Sequence, residues 1–482
     1  MKKLIYAIGL LVALGVIAQD KTAKKFAKTI TAEDLREHLS IIASDEYEGR
    51  ETGKKGQKMA AKYIADHFEK LGFEAPVDGS YFQTFDLRES QIGNVYFRKG
   101  EDKKEGFEDF VYYSRSETIG EEYIKIVIAN DDDSNAESYS NAYVTYITDK
   151  FGAVQERIEK ASEAGAAGYI VVVKDEAEYN SFKLRIGNYM RRPSLALGEN
   201  TRLVNKLVMV DEEMLSWLFD KSFEDIKTGD ESIVIFNADY LHKPVQTENV
   251  LGFLKGTEKP DEILVVTAHY DHVGIINGEI HNGADDDGSG TVSVLEVAEA
   301  FSEAAKKGNG PKRSVLFMTV SGEEKGLLGS RYYTDMDPVF PLENTVANLN
   351  IDMVGRVDDA HKENADYIYL IGSDKLSQDL HELSESVNKT YTNLELDYTY
   401  NDENDPNRFY YRSDHYNFAK NNIPIIFYFN GTHEDYHKPT DTVEKIVFDT
   451  MEKRARLVFH TAWQIANRDK RLVVDGMEVE TD

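Results

Sequence analysis

Residues 269–290, HYDHVGIINGEIHNGADDDGSG, gather histidine and several carboxylates into one short stretch. An apolar run at 263–266 reads as a buried strand just before it. After it, Val294, Leu295, Ala298 and Phe301 recur at helical spacing. The acids therefore fall where a strand gives way to a helix, the place where ligands bind in open α/β sheets. Ser289 or Thr291 can cap that helix, and its N-terminus favours negative charge. The chemistry this suggests is metal binding. A local rival exists, because Asp285, Asp287, Ser289, Gly290 and Glu296 stand in calcium-loop register. That loop needs a helix on both sides, and a strand with a Gly- and Asn-rich turn at 274–283 lies upstream.

Further chemistry-bearing residues follow other apolar runs. Ser321-Gly322-Glu323-Glu324 comes after 314–320, Asn350-Ile351-Asp352 after 346–349, and Tyr436-His437 after 425–429 and a short loop. Any one of these reads equally as a helix cap, a surface acid or a core histidine. Together they bring two histidines and at least four carboxylates to one strand-end edge. Unpaired charges that close repel strongly, and metal ions are the simplest compensation. With no cysteine in the chain, His, Asp and Glu must supply any transition-metal site.

The elements that must position these residues alternate from residue 249 onward. Strands are expected at 250–254, 262–268, 314–320, 346–351 and 424–429, with helices near 291–306 and 375–388. That order predicts an α/β fold, a doubly wound, mostly parallel sheet with helices on both faces. Upstream, Thr31 with Asp34 caps an amphipathic segment ending near 45, and 57–71 is a helix closed by Gly72. Between these halves lies a smaller β-rich α/β unit, 110–239, with strands near 125–129, 169–173 and 233–236 and a helix at 154–163. The expected domains are 19–109 with 240–482, and the inserted 110–239.

At 482 residues the chain has room for two or three domains. Residues 1–18 read as a secretory signal: Lys2 and Lys3, an apolar run, and a small-residue cleavage site ending at Ala18. A secreted or periplasmic protein is expected. The 56 basic against 86 acidic residues give a net charge of −30. Such a surface argues against nucleic acid and anionic membranes as partners.

The motifs resemble those of the co-catalytic di-zinc aminopeptidases, a family that includes bacterial leucyl aminopeptidases and aminopeptidase Y. More distant members are glutamate carboxypeptidase and the transferrin receptor. HYD, GADDDGSG, SGEEKGLLGS, NIDMVGR and YHKPTDT stand in the family's order, and EYEGRETGKKG extends the likeness to residue 46. The segment ERIEKASEAGAAGYIVVV is similar to part of a protease-associated domain. The resemblance implies the zinc exopeptidase fold and two Zn2+ per chain. His269 and Asp352 would hold one ion, Glu324 and His437 the other, and Asp286 would bridge them. Asp286 is chosen because the family's bridging residue stands three before the Ser of the Ser-Gly pair, here Ser289. The resemblance also implies a cis peptide after Asp286. It makes Glu323 the general base, Asp271 the partner that orients His269, Tyr436 an oxyanion donor, and Arg412 a contact for a substrate or product carboxylate.

The implied function is a secreted zinc metallopeptidase acting on peptides with free N-termini, its oligomeric state left open. Carboxypeptidase action on the same metals is an alternative; it calls for a cluster of arginines, and only Arg408 and Arg412 stand near, among Asp402, Glu403, Asp405 and Asp414. A metal-free, receptor-like binding protein is another, and it predicts lost ligands. A single-zinc glutaminyl cyclase is disfavoured on the same ground, since the full set is present.

Overall fold

The computed structural model describes residues 19–114, 118–130, 133, 136–198 and 206–476. The segment 1–18, read above as a signal, lies outside the described residues. The chain divides into two compact units, one made of Gln246–Asp482 with the residues up to Phe85, the other of Asp86–Val245.

In the first unit, helix α1 (Ala32–Ile42) begins at Thr31, whose hydroxyl oxygen accepts the Asp34 N–H at 3.2 Å and donates to the Asp34 carboxylate at 2.6 Å. Helix α2 (Lys55–Leu71) ends on Gly72, which takes the left-handed conformation at φ 79°. Then follow strand β1 (Lys259–His269), helix α3 (Gly290–Lys306), strand β2 (Arg313–Val320), helix α4 (Leu328–Asp335), and strands β3 (Thr345–Ile351) and β4 (Tyr367–Ile371). Helix α5 (Gln378–Tyr391), strands β5 (Glu395–Asp397) and β6 (Ile425–Phe429), and helix α6 (Phe448–Asn467) complete it.

The sheet order is β5-β4-β6-β3-β1-β2, with residues 250–254 beyond β2. The four strands β6, β3, β1 and β2 run parallel. β4 against β6, and 250–254 against β2, are antiparallel. Both faces of β1 are buried, which is why it reads as a continuous apolar run rather than an alternating one. Leu264 and Val266 pack with Val294, Phe301, Val458 and Ala462 of α3 and α6. Ile263 and Val265 pack with Met318, Tyr333 and Phe418 on the other side. The expected doubly wound sheet is the observed one. Register puts His269 beside Val320, Thr267 beside Asn350, and Ile351 beside Tyr428, so the C-terminal ends of all four parallel strands meet at one edge.

The turn expected at 274–283 is a small hairpin, Gly274–Ile276 against Glu279–His281. Its two turn residues, Asn277 and Gly278, both have positive φ, as a tight two-residue hairpin loop requires.

The second unit is also built on paired strands. Ile119–Ile128, Ala142–Thr148, Gly168–Val173 and Leu207–Val210 run parallel, flanked antiparallel by Val111–Tyr113 and by residues 231–238. Helices Gln155–Glu163, Glu176–Arg191 and Glu212–Phe219 accompany it. This unit starts at Asp86, upstream of the expected 110, because residues 87–90 pair with Ser194–Leu197 and 96–99 with Asp102–Glu105.

Candidate functional site

At the shared strand edge, Asp286 stands between two imidazoles. Its Oδ1 is 3.4 Å from Nε2 of His269, and its Oδ2 is 3.0 Å from Nε2 of His437. Asp352 lies 3.5 Å from the same His269 nitrogen, and Glu324 lies 3.3 Å from Nε2 of His437. Glu323 is 3.9 Å from His269. Residues from β1, the loop before α3, the loop after β2, the end of β3 and the loop after β6 thus meet at one place.

Local structure sorts the three consecutive aspartates. Asp285 accepts from the Ser289 hydroxyl, the Gly355 N–H, Asn430 and His433. Asp287 accepts from the N–H groups of Gly290 and Met353 at 2.9 Å and of His269 at 3.2 Å. Asp287 also stands near His269 and Asp352, but those backbone donors occupy its oxygens. The carboxylate of Asp286 is left facing the histidines. The Asp286–Asp287 peptide is cis. With Asp285 and Asp287 engaged, and with a strand rather than a helix upstream, the calcium-loop reading falls away.

Burial and charge act against each other here. Burial disfavours the charged form of His269, yet Asp352 and Glu323 outweigh it and hold the imidazole well above its usual pKa. Burial likewise opposes protonation of His437, but Asp286 and Glu324 push it up to about 10. Glu324 is raised by burial and by Asp286, and the imidazoles of His272 and His437 bring it down to about 2. Glu323 has burial as its main influence, which drives its carboxyl well above the usual range. Burial and then the carboxylates of Asp286 and Glu324 raise the Tyr436 phenol, so it remains an O–H donor. Tyr436 lines one cavity with His269, Asp286, Glu323 and Asp352.

The sequence-derived residues differ in how directly they join this cluster. Nδ1 of His269 is 3.1 Å from the Asp271 carbonyl oxygen, while the Asp271 carboxylate is 4.0 Å away. That carboxylate instead accepts from the Thr52 hydroxyl at 2.6 Å and from the Glu323 N–H at 3.2 Å. Asp271 thus touches the imidazole through its backbone and holds the Glu323 loop through its side chain. Arg412 lines the cavity but is exposed, its guanidinium over the Phe409 ring.

Four contributors escaped the sequence reading. His272 is fully buried with Nδ1 2.8 Å from Oε1 of Glu324, close but without hydrogen-bond alignment. The second histidine of HYDH was the available signal. Ser413 donates to Asp352 at 2.6 Å and is itself held by Asn350, a relay with no local motif. Asp441 accepts from the N–H groups of Asp285 and Asp286. Arg50 is wholly buried and donates to the carbonyls of Ile42, Tyr270, Asn282 and Gly283, clamping the loop that leads to Asp286.

This donor set fits divalent metal. Oδ2 of Asp286, Oε1 of Glu324 and both ring nitrogens of His272 are buried and lack a hydrogen-bond partner among the described residues. His272, Asp286 and Glu324 each offer an atom within 4.8 Å of the others. Buried polar atoms left unpaired cost too much to persist without a partner, and a cation is one that carboxylates and imidazoles share.

Residues 249–462 match the model of peptidase family M28. The M28 match covers every residue of the cluster and stops short of the second unit. Among relatives, aminopeptidase YwaD of Bacillus subtilis is 28% identical over 232 residues, 47% of this chain and 46% of that protein. A probable leucine aminopeptidase of Arthroderma benhamiae is 31% identical, covering 43% of this chain and 55% of its own. A probable zinc metalloprotease of Pyrenophora tritici-repentis is 38% identical over 23% of each chain. The chain thus spans less than half the length of the first relatives it matches. Of solved structures, an aminopeptidase from Aneurinibacillus sp. strain AM-1 superposes with a TM-score of 0.54 at 18% identity, covering 95% of this chain and 98% of its own. A zinc aminopeptidase from Bacillus subtilis gives 0.52 at 19% identity, over 92% and 96%. The solved structures share the fold of this chain, and the family match over 249–462 agrees with the resemblance drawn from the motifs in that stretch.

Proposed function

We propose that this chain is a di-zinc aminopeptidase that removes residues from peptide N-termini. One observation carries the reading: the two oxygens of Asp286 face different imidazoles, each of which has its own second carboxylate. His269 with Asp352, and His437 with Glu324, would each hold one zinc, and Asp286 would join the pair. Bound there, two ions would polarise the scissile carbonyl and lower the pKa of a shared water. Asp287 and Ser413 keep the first pair in place through the His269 backbone and the Asp352 carboxylate.

Glu323 is the general base of this reading. Its backbone is fixed by Asp271, its carboxyl faces the cavity, and its pKa is raised by burial. A carboxyl so placed takes a proton and keeps it long enough to deliver it to the leaving amine. Tyr436, kept protonated, donates to the carbonyl oxygen as it gains charge. A free α-amino group approaches between Glu323 and Asp352, which sets the bond after the first residue at the reacting position. Arg412 at the cavity wall meets the carboxylate end of short peptides and products. Exported, signal-cleaved protein and a protease-associated role for 110–239 belong to the same proposal.

Zinc counting tests it. Protein purified without chelator is expected to hold two zinc ions at this cluster, to lose peptidase activity on chelation, and to regain it with zinc. Full activity in metal-stripped protein would contradict the reading.

A further inference from the structure

A second group of metal-ligating side chains lies where α1, α2 and α3 pack together. We propose that His38, His67 and Glu299 form a site for one divalent transition-metal ion of the zinc class, tying these three helices to one another. Each residue offers an atom within 4.8 Å of the other two. The His38 and His67 rings meet edge to face at 4.8 Å. Nε2 of His67 is buried and has no hydrogen-bond partner among the described residues, and the same holds for Oε1 of Glu296. Glu296 lies one helical turn before Glu299, with that oxygen 3.5 Å from Nε2 of His38.

Neighbours prepare the imidazoles for coordination. Nδ1 of His38 is 2.7 Å from the Tyr63 hydroxyl. With Nδ1–H donating to that oxygen, Nε2 keeps its lone pair directed at Glu296 and the cluster, the arrangement by which a ligating histidine is oriented. Metal binds the neutral imidazole, and both rings are largely withdrawn from water between the helices. Two neutral imidazoles and two carboxylates balance a doubly charged ion. The ion compensates Glu296, which is otherwise a buried carboxyl facing other acids. Because α3 starts where the Asp286 loop ends, the ion anchors the helix that carries that loop to the N-terminal helices.

The test counts metal and does not depend on peptidase activity. Metal-stripped full-length protein is titrated with Zn2+ and, separately, with Co2+. His67→Gln is compared with its parent in two backgrounds, wild type and the double substitution Glu324→Gln with His437→Gln. In both, His67→Gln is expected to remove one equivalent of bound metal, whatever the strand-edge cluster retains. Partly exposed Glu299→Gln is the safeguard against misfolding; it is expected to weaken that equivalent at least about 10-fold, as disturbing a metal shell does. Unchanged stoichiometry and affinity in both variants, each folded by circular dichroism, would overturn the site. A strand-edge cluster that binds no metal would sink the aminopeptidase reading and leave this one standing.

Discussion

Glu323 and Glu324 are adjacent in sequence and face different work. The Glu324 carboxylate sits among His272, His437 and Asp286, whereas Glu323 faces the cavity with no ring within bonding distance. Glu323→Gln keeps the shape and removes the base, so turnover is expected to fall by at least about 10²-fold with metal content unchanged. Glu324→Gln is expected to lower zinc affinity instead. Steady-state rates beside zinc counts on both variants check the division, and metal loss from Glu323→Gln would reverse it. At this scale the site is most legible where a motif spans consecutive residues. The resemblance singles out Asp286 among the three aspartates, and the hydrogen bonds consumed by Asp285 and Asp287 leave its carboxylate facing the histidines. His272 went unnoticed because a second histidine after a strand end reads as core. Ser413 reaches the cluster only through folding, from far along the chain, while Asp441 stands in YHKPTDT close after His437 and acts on the backbone of the Asp286 loop, a role that only the fold shows.

Between residue and fold, Arg50 is the clamp. It donates to four carbonyls from three segments: the end of α1, the end of β1 and the turn before Asp286. Arg50→Met keeps much of the bulk and orphans those carbonyls, each worth about 1–3 kcal/mol when left buried and unpaired. Stability in urea is expected to fall by about 3 kcal/mol or more, and zinc affinity with it. A loss under about 1 kcal/mol would show the loop is held by other bonds, Asp441's among them. The central strands were legible because burial on both faces makes them unbroken apolar runs; β1, β2, β3 and β6 lie within a residue or a few of their expected limits. Helix α6 was not. Its buried face contains Arg454, His460 and Thr461, which break the apolar period. Arg454 is tolerable there because it donates to the Tyr367, Val354 and Arg356 carbonyls, partners invisible in a local window. The short β4 was missed for a different reason, since a five-residue apolar run alone does not distinguish strand from helix.

Over the whole molecule, order of elements and the chemistry of strand ends determine the fold class, and both survive in a single sequence. The limits of the inserted unit were less legible, because strand pairing between 87–90 and 194–197 joins segments with no compositional boundary between them. The stability of the whole fold should depend on acid through buried histidines. Burial lowers His415 to about 3 and His460 to about 4, below the usual 6.5. The unfolded chain therefore binds protons below about pH 6.5 that the folded chain refuses. Their contribution is complete above that pH and declines as pH falls, by up to about 1.4 kcal/mol per pH unit for each ring. Urea unfolding between pH 6 and 4.5 is expected to show His415→Gln with a shallower slope by about that amount, and an unchanged slope would contradict it. The central claim concerns the direction of attack on a peptide, and mass spectrometry of one peptide in two forms tests it most directly. With purified zinc-loaded protein, the form with a free N-terminus is expected to shorten stepwise from that end while its N-acetylated twin stays intact. Loss of residues from the C-terminus, or equal cleavage of both forms, would contradict the account.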